Sequence, residues 1–343
     1  LAVSVFLVNR RAEALRRYGD LAACFQARLQ LDSAVGFEPK DDRASYDSDD
    51  LDQRLADLHY SDVASYATGH NTSGDWVEVD SDGRVTTVFT NPIPHQAVEK
   101  LGFTRQVPGV ERGMEALAQA ALTPQTLAAV LEPLPLAYAA WAAERAKEVA
   151  ALDGAKRQEM ARLCLADIAT AKNRIASGIQ RLLSDPVSLE AFAIMNRTMA
   201  QANRQRGSTI NGKKPVDQAP PTWRLFQLAF ILLNLEGLAN PLHADRQTVD
   251  LLFFPTGGGK TEAYLGLAAF AIARRRLDNP GLQGAGLSVV MRYTLRLLTL
   301  DQLQRAAGLV CALELERIGN NRLGTWPIEI GLWVGGGATP NTF

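Results

Sequence analysis

A glycine-rich stretch at residues 254–261 constrains the fold of this chain more than any other segment. Its sequence is FPTGGGKT, and it lies between the apolar run 249–254 and the Ala- and Leu-rich run 261–276. A strand, a glycine turn, a Lys-Thr pair and a helix form, in this order, the arrangement that cradles a nucleoside triphosphate. Consecutive glycines let backbone N–H groups face the phosphates, and the helix N-terminus adds a partial positive charge. We therefore expect a nucleotide site at residues 257–259, called the glycine turn below.

Individual residues of this segment have distinct expected roles. Lys260 can reach the outer phosphates and the Thr261 hydroxyl can hold Mg²⁺, so these two are the candidate catalytic residues. The residues expected to contact ATP are Gln227, Thr256, Gly257, Gly258, Gly259, Lys260, Thr261 and Glu262. The strict G-x-x-x-x-G-K-[ST] pattern begins with glycine where this chain has Phe254. A ligand-free turn beside a solvated Lys260 is therefore the alternative.

The form PTGGGKT resembles motif I of superfamily 2 helicases and translocases. Gln227 ends the segment 223–227, which lies where these enzymes carry an aromatic-Gln element that contacts the edge of adenine. An amide suits that role because it offers a donor and an acceptor together. A polar residue near a helix start, with no ligand, is the other interpretation of Gln227.

The segment 291–302 resembles motif Ia of these helicases, a loop and helix start that grips the backbone of one nucleic-acid strand. Arginines can pair with phosphates there, while threonine hydroxyls and helix N–H groups add neutral contacts. The expected nucleic-acid contacts are Arg292, Thr294, Arg296 and Gln302. A strand exit capped by arginines is the alternative. The glycines of 331–341 are a weaker candidate for a close approach to nucleic acid.

Apolar stretches alternate with helical patterns from residue 222 onward. Strands are predicted at 249–254, 286–291 and 328–334, and helices at 226–235, 261–276 and 301–318. This alternation predicts an α/β domain with a parallel sheet, and the resemblance to superfamily 2 helicases implies that the domain is RecA-like, with a P-loop. Such sheets bind ligands beyond the carboxyl ends of their strands.

The chain divides into four predicted regions. Residues 1–108 are expected to contain helices, which include most of the segment 1–40, and a β-hairpin that turns at Gly83. Residues 109–203 are expected to form a helical bundle, in which Asp185 before Pro186 marks a helix start. The polar segment 204–221 is a predicted linker, and 222–343 is the first RecA-like domain, incomplete.

Composition limits the possible function classes. The formal net charge of −1 gives no overall attraction to nucleic acid, so binding would need a local basic track. The three cysteines are far apart, which favours free thiols in a reducing, cytoplasmic compartment. The four histidines show no metal-ligand spacing. The sequence contains no apolar run of about 18 residues, so no membrane span is expected.

Several segments together resemble the helicase-subunit family (DrmA) of the bacterial DISARM anti-phage system. They are residues 190–199, 223–235, 252–270, 291–307 and 331–341. The resemblance implies an ATP-dependent DNA helicase or translocase that uses ATP and Mg²⁺. It also implies a DNA substrate, single-stranded or with an overhang, and a second, DrmB-like DISARM subunit as partner.

One departure from the family pattern concerns hydrolysis. That reaction needs a carboxylate pair on a later strand, one to hold Mg²⁺ and one to orient the attacking water. The carboxylates after Thr261 are Glu262, Asp278, Asp301, Glu314, Glu316 and Glu329, and none forms an Asp-Glu pair. We therefore expect this segment to bind nucleotide but to hydrolyse it poorly. A nucleotide-gated nucleic-acid or partner-binding module without motor activity is the alternative function.

Overall fold

The computed structural model describes residues 2–11, 23–40, 49–95, 102, 106–254, 257–293 and 296–333. The chain forms two compact units, and each is considered by itself. The first consists of Leu1–Lys100 and Val149–Arg162, and the second of Leu101–Glu148 and Leu163–Phe343. Strands occur in the described part of the first unit, and the second unit is built from helices.

The first unit contains a three-stranded antiparallel sheet with the strand order β1–β3–β2. The strands are β1 Gln30–Phe37, β2 Ser73–Trp76 and β3 Val85–Asn91. The predicted hairpin is present, because β2 pairs with β3 in a register that places Trp76 opposite Val88. Gly83 adopts φ +74° in the connection, a left-handed conformation that favours glycine.

The sequence predicts helix over most of the segment 1–40, but residues 30–37 form strand β1 instead. It pairs with β3, with Leu31 opposite Val88, and the Thr87 hydroxyl donates a 2.6 Å hydrogen bond to Asp32. Its first residues alternate between exposed and half-buried, as in a strand with one covered face. Its pairing partner is distant in the sequence, so local spacing does not reveal the strand.

Helix α1, Leu51–His59, lies between β1 and β2 in the sequence of the first unit. The Asp50 carboxylate caps it by accepting from the Asp52 N–H at 2.9 Å. Its Asp57 carboxylate receives two hydrogen bonds, of 2.8 and 2.7 Å, from the Arg157 guanidinium. Because Arg157 and Asp57 are both largely removed from water, this ion pair joins α1 firmly to the segment 155–162.

Eight helices form the described part of the second unit, although the first turns of one belong to the first unit. They are α2 Met114–Ala120, α3 Pro124–Leu131, α4 Pro133–Glu148, α5 Ala155–Ser184, α6 Pro186–Asn211, α7 Leu225–Ala239, α8 Lys260–Asp278 and α9 Arg296–Gly319. The predicted helix start at Asp185 is confirmed, since its carboxylate accepts from the Val187 N–H at 3.0 Å. Helix α6 is the central element, packed against α2, α8 and α9.

The predicted parallel RecA-like sheet is wrong. Residues 249–254, 286–291 and 328–333 form no strand in the described ranges, whose sheet is the small antiparallel one. A central parallel strand needs cover on both faces. Val249, Leu251 and Phe253 instead are 95, 85 and 85% exposed. Short apolar runs do not by themselves specify a strand, and the core here is made by helices packed on helices.

The helices predicted on either side of the glycine turn are present and closely packed. Gly266 of α8 faces α7, and a Cβ there would lie 2.9 Å from both Ile231 and Trp223. Trp223 is fully buried, and its indole N–H donates a 2.8 Å hydrogen bond to the Asn196 side chain of α6. Because a buried indole N–H needs a partner, this bond fixes the segment that enters α7.

Residues 204–221, the predicted linker, include the last turns of α6, which ends at Asn211. Arg204 pairs with the Glu115 carboxylate at 2.7 and 2.8 Å and donates to the Gln218 carbonyl at 2.7 Å. This segment therefore has defined contacts with α2. The division into four regions itself stays a prediction.

One helical stretch in the described residues, Pro124–Ala151, is long and apolar enough to cross a membrane by length and composition alone. About a fifth of its most apolar window, 22%, is buried in the structure. Core helices of water-soluble proteins pass the same test, so this stretch is weak grounds for a membrane span.

Candidate nucleotide site

Glycine is required at the turn before α8 for two reasons. Gly257 and Gly259 have φ of +81° and +84°, the left-handed region in which a side chain is strained. A Cβ at Gly259 would also lie 2.8 Å from Nε2 of Gln227, closer than carbon and nitrogen normally approach. Gly259 caps α8, which begins at Lys260. Both positions of the turn therefore favour glycine.

Two side chains from the start of α7 hold the carbonyl groups of the glycine turn. Arg224 Nη1 donates to the Gly258 carbonyl at 2.5 Å, and Gln227 Nε2 donates to the Gly259 carbonyl at 2.6 Å. In a trans peptide the C=O and the following N–H point in opposite directions. The N–H groups of Gly259 and Lys260 therefore point away from α7.

Gln227 is nearly buried, with 3% of its surface exposed. Its amide oxygen accepts from the Arg224 N–H at 2.7 Å, which caps α7, while its amide nitrogen binds the glycine turn. Both ends of the amide thus have partners within the protein. The predicted contact with adenine would require an exchange of these partners, and it stays a prediction.

Lys260 folds back on the turn. Its ammonium group donates to the carbonyl of Phe254, whose ring stacks on Phe226 with centroids 4.0 Å apart. A phosphate oxygen is a stronger acceptor for an ammonium group than a neutral carbonyl is. The observed contact thus places the cation beside the turn, where a phosphate could replace the carbonyl. Pro255 and Thr256 lie outside the described residues.

Thr261, the expected Mg²⁺ ligand, is 8% exposed. Its Oγ1 lies 3.0 Å from the hydroxyl of Tyr264, one turn later in α8. A hydroxyl oxygen fits the oxygen ligands that Mg²⁺ prefers, and magnesium usually keeps several waters besides one or two protein ligands. The described residues contain no group of three or more His, Cys, Asp or Glu that could hold a metal by itself.

Glu262 pairs with two arginines. It forms an ion pair with Arg305 of α9, and Arg206 of α6 lies 3.8 Å from the same carboxylate oxygen. These charges tie the first turn of α8 to the helices beside it. The expected contact of Glu262 with nucleotide stays a prediction.

The residues predicted to contact nucleic acid lie around the start of α9. Arg292 is exposed, and Arg296 is the first residue of α9, so the helix begins five residues before the predicted start at Asp301. The Gln302 amide oxygen accepts a 2.8 Å hydrogen bond from the Tyr264 hydroxyl, which also contacts Thr261. Thr294 and the glycines of 334–341 lie outside the described residues.

A chain of hydroxyl groups joins these two regions. The Tyr293 hydroxyl donates to Tyr264 at 2.9 Å, and Tyr264 in turn reaches Thr261 and Gln302. Burial is the main cause that raises the pKa of Tyr293 well above its usual range, and the hydrogen bond with Tyr264 raises it further. Tyr293 therefore remains a neutral donor at physiological pH.

The segment that leads into the glycine turn is anchored by Arg174 of α5. Its guanidinium donates to both oxygens of Asp250 at 2.6 and 2.8 Å and to Asp245 at 2.8 Å. The pKa of Arg174 is raised above its ordinary value, and the hydrogen bonds with Asp250 are the largest cause. Bidentate pairs of this kind give geometric specificity as well as energy. Asp250 thus fixes the start of the approach to the turn.

Sequence motifs do not identify three residues that contact the site: Arg224, Tyr264 and Arg305. Arg224 lies inside the aromatic-Gln segment, so the sequence indicates its position but not its role. Tyr264 follows Thr261 by three positions and thus shares its helical face, a signal that the sequence does contain. Arg305 has no such local signal, because its partner Glu262 is 43 residues away.

The comparison with known proteins gives one informative match. No family model matches the chain. The DISARM protein DrmA of Bacillus paralicheniformis is 31% identical to it over 358 residues, which cover 99% of this chain and 31% of the relative. The chain thus spans about a third of the length of this curated relative. The match confirms the resemblance seen in the motifs and extends it to the part of the chain before Glu190.

Proposed function

Because the chain is DrmA-like over nearly its whole length, we propose that it is the nucleotide-binding part of a component of a DISARM-type anti-phage system. The glycine turn carries this proposal. Its two left-handed glycines precede the start of α8, and Arg224 and Gln227 of the α7 start donate hydrogen bonds to its carbonyl groups. This arrangement supports an anion site at the turn.

In this proposal ATP lies with its phosphates against the glycine turn. The N–H groups of Gly259 and Lys260 and the α8 N-terminus provide fixed donors. The Lys260 ammonium would exchange the Phe254 carbonyl for an outer phosphate, and the Thr261 hydroxyl would be the protein ligand of Mg²⁺. When bound, Mg²⁺ would neutralise charge on the phosphates.

We further propose that DNA binds at the start of α9. Exposed Arg292 pairs with a backbone phosphate, and the N-terminus of α9 offers N–H groups to a neighbouring one. The complete protein would then be an ATP-dependent DNA helicase or translocase, with a DrmB-like DISARM subunit as partner. We expect it in the cytoplasm, where both DNA and ATP are available to it.

DNA-stimulated ATP turnover by the full-length protein tests this function. We expect turnover to rise on addition of a single-stranded or overhang-bearing DNA and to be lost in Lys260→Ala. Lys213→Ala, at an exposed lysine outside the site, is the matched control and should behave like the wild type. Full turnover in Lys260→Ala at matched folding would contradict the assignment of the site.

A nucleotide-gated binding module is the second candidate, and the acidic residues favour it. Glu262, Glu314 and Glu316 are each paired with an arginine in the structure. Carboxylates held in this way are poorly placed to orient an attacking water. ATP binding without DNA-stimulated turnover in the full-length protein would support this candidate over the motor.

A further inference from the structure

We propose that Tyr264 is a positioning residue that couples the occupancy of the nucleotide site to the DNA-binding segment. The inference rests on the function proposed above. Tyr264 lies near the start of α8, three positions after Thr261, so both side chains share one helical face. Its hydroxyl is at the meeting point of the two regions: 3.0 Å from Thr261 Oγ1 and 2.8 Å from Gln302 Oε1.

The number of protons at this point makes the arrangement a switch. Tyr264 has one hydroxyl proton, so it either donates to Thr261, or it donates to Gln302 and accepts from the Thr261 hydroxyl. The Tyr293 hydroxyl also donates to Tyr264, at 2.9 Å. Tyr264 therefore has two alternative acceptors, one in the nucleotide site and one on α9.

The two alternatives link the sites. When a ligand occupies the lone pairs of Thr261 Oγ1, donation to Thr261 becomes less favourable and donation to Gln302 more favourable. A firmer bond to Gln302 holds the first turns of α9 in the position that the structure shows, next to the predicted DNA contacts. By thermodynamic linkage, DNA that stabilises this position must favour the ligand at Thr261 by the same factor.

The size of the effect follows from one hydrogen bond. The net value of a single hydrogen bond corresponds to about 2- to 10-fold in an equilibrium constant. We therefore expect bound nucleotide to tighten DNA binding by a factor of about this size through Tyr264. The measured quantity is the coupling ratio, the DNA Kd without nucleotide divided by the DNA Kd with it.

Tyr264→Phe is the direct test, because it removes the hydroxyl and keeps the ring. The full-length protein is titrated with a fluorescent oligo-dT strand, with and without Mg²⁺ and a non-hydrolysable ATP analogue. The wild type should give a coupling ratio above one, and Tyr264→Phe should bring it to about one. Tyr138→Phe, at a half-buried tyrosine of α4 stacked on Trp141, is the matched control and should keep the wild-type ratio.

A second variant makes the test independent of the Tyr264 ring. Gln302→Met removes the acceptor on α9 at similar length, and it should also abolish the coupling. A wild-type ratio in both variants would overturn the role of Tyr264 while leaving the proposed function intact. So would a wild type that binds nucleotide and DNA with a ratio of one. A wild type that binds no nucleotide would overturn the proposed function and this inference together.

Discussion

The side-chain amide of Gln227 donates a 2.6 Å hydrogen bond to the carbonyl oxygen of Gly259. One end of α7 thereby sets the conformation of the turn at which α8 begins. Gln227 also caps its own helix by accepting from the Arg224 N–H. A single nearly buried amide thus joins helix packing to the shape of the candidate nucleotide site.

The first prediction concerns what Gln227 does for nucleotide binding. Gln227→Met removes both hydrogen bonds, which should destabilise the fold by about 1–3 kcal/mol, since two part-buried backbone groups lose their partner. If Gln227 acts by holding the turn, ATP and GTP affinities should fall by the same factor. Urea unfolding and titration with both nucleotides measure these effects. A loss confined to ATP would instead support the contact with the adenine edge.

Substitution of the turn glycines separates backbone strain from steric conflict. Gly257→Ala adds a Cβ with nothing within 4 Å, so it should cost only the left-handed strain of about 1–2 kcal/mol. In Gly259→Ala the added Cβ would also lie 2.8 Å from Gln227 Nε2, so this variant should lose more folding stability than Gly257→Ala. Gly281→Ala, at φ −81° and in open space, is the control and should be nearly neutral. Denaturant unfolding measures the stability of the three variants. A smaller loss of stability in Gly259→Ala than in Gly257→Ala would contradict this account.

Acid should weaken the packing of α5 on α7 through Glu236. Arg181 donates to this nearly buried carboxylate at 2.9 and 2.5 Å, and these hydrogen bonds lower the pKa of Glu236 below its ordinary value of 4.5. A folded-state pKa below the unfolded one adds stability above that ordinary value, and this contribution is lost as the pH falls through the folded pKa.

Unfolding in urea between about pH 6 and pH 3 checks this sign. The wild-type free energy of unfolding should fall as the pH drops, and Glu236→Gln should show a flatter profile and lower stability near neutral pH. Glu132→Gln, at an exposed glutamate, should follow the wild type. If the unfolding free energy of Glu236→Gln depended on pH as steeply as that of the wild type, the acid sensitivity would have another source.

Salt dependence tests the contact of Arg292 with DNA. Each phosphate contact adds about 0.7 to the slope of log affinity against log salt for a single strand, because it releases a counterion. Arg292→Ala should therefore weaken DNA binding and reduce the slope by about this amount, whatever the base sequence. Arg246→Ala removes an exposed arginine outside the segment 291–302 and should leave the slope unchanged. An unaltered slope in Arg292→Ala would remove this residue from the interface.

Local patterns predict the helices of this fold well. The helix after the glycine turn, the proline-marked start of α6 and the hairpin at Gly83 all depend on residues close together in sequence. Strand β1 and the failure of the parallel sheet depend on distant partners. An apolar run such as 249–254 becomes a strand only if neighbours cover both of its faces, and periodicity does not report on neighbours.

The same distinction applies to the candidate site. The glycines, Lys260 and Thr261 form a contiguous motif whose chemistry can be argued from their order alone. Arg224, Tyr264 and Arg305 act through partners that packing brings to them, from 34, 38 and 43 residues away. The motif therefore locates the candidate site, whereas the side chains that contact it from distant parts of the sequence require the structure.

The most direct test of the account is calorimetric titration of the full-length protein with ATP in the presence of Mg²⁺. The wild type should bind one ATP at the glycine turn, and Lys260→Ala should lose at least about tenfold in affinity, since one charge-assisted contact is worth about 1.5–3 kcal/mol. Lys213→Ala should bind like the wild type. Equal ATP affinity in the wild type and Lys260→Ala, or no binding by the wild type, would contradict a nucleotide site at this turn.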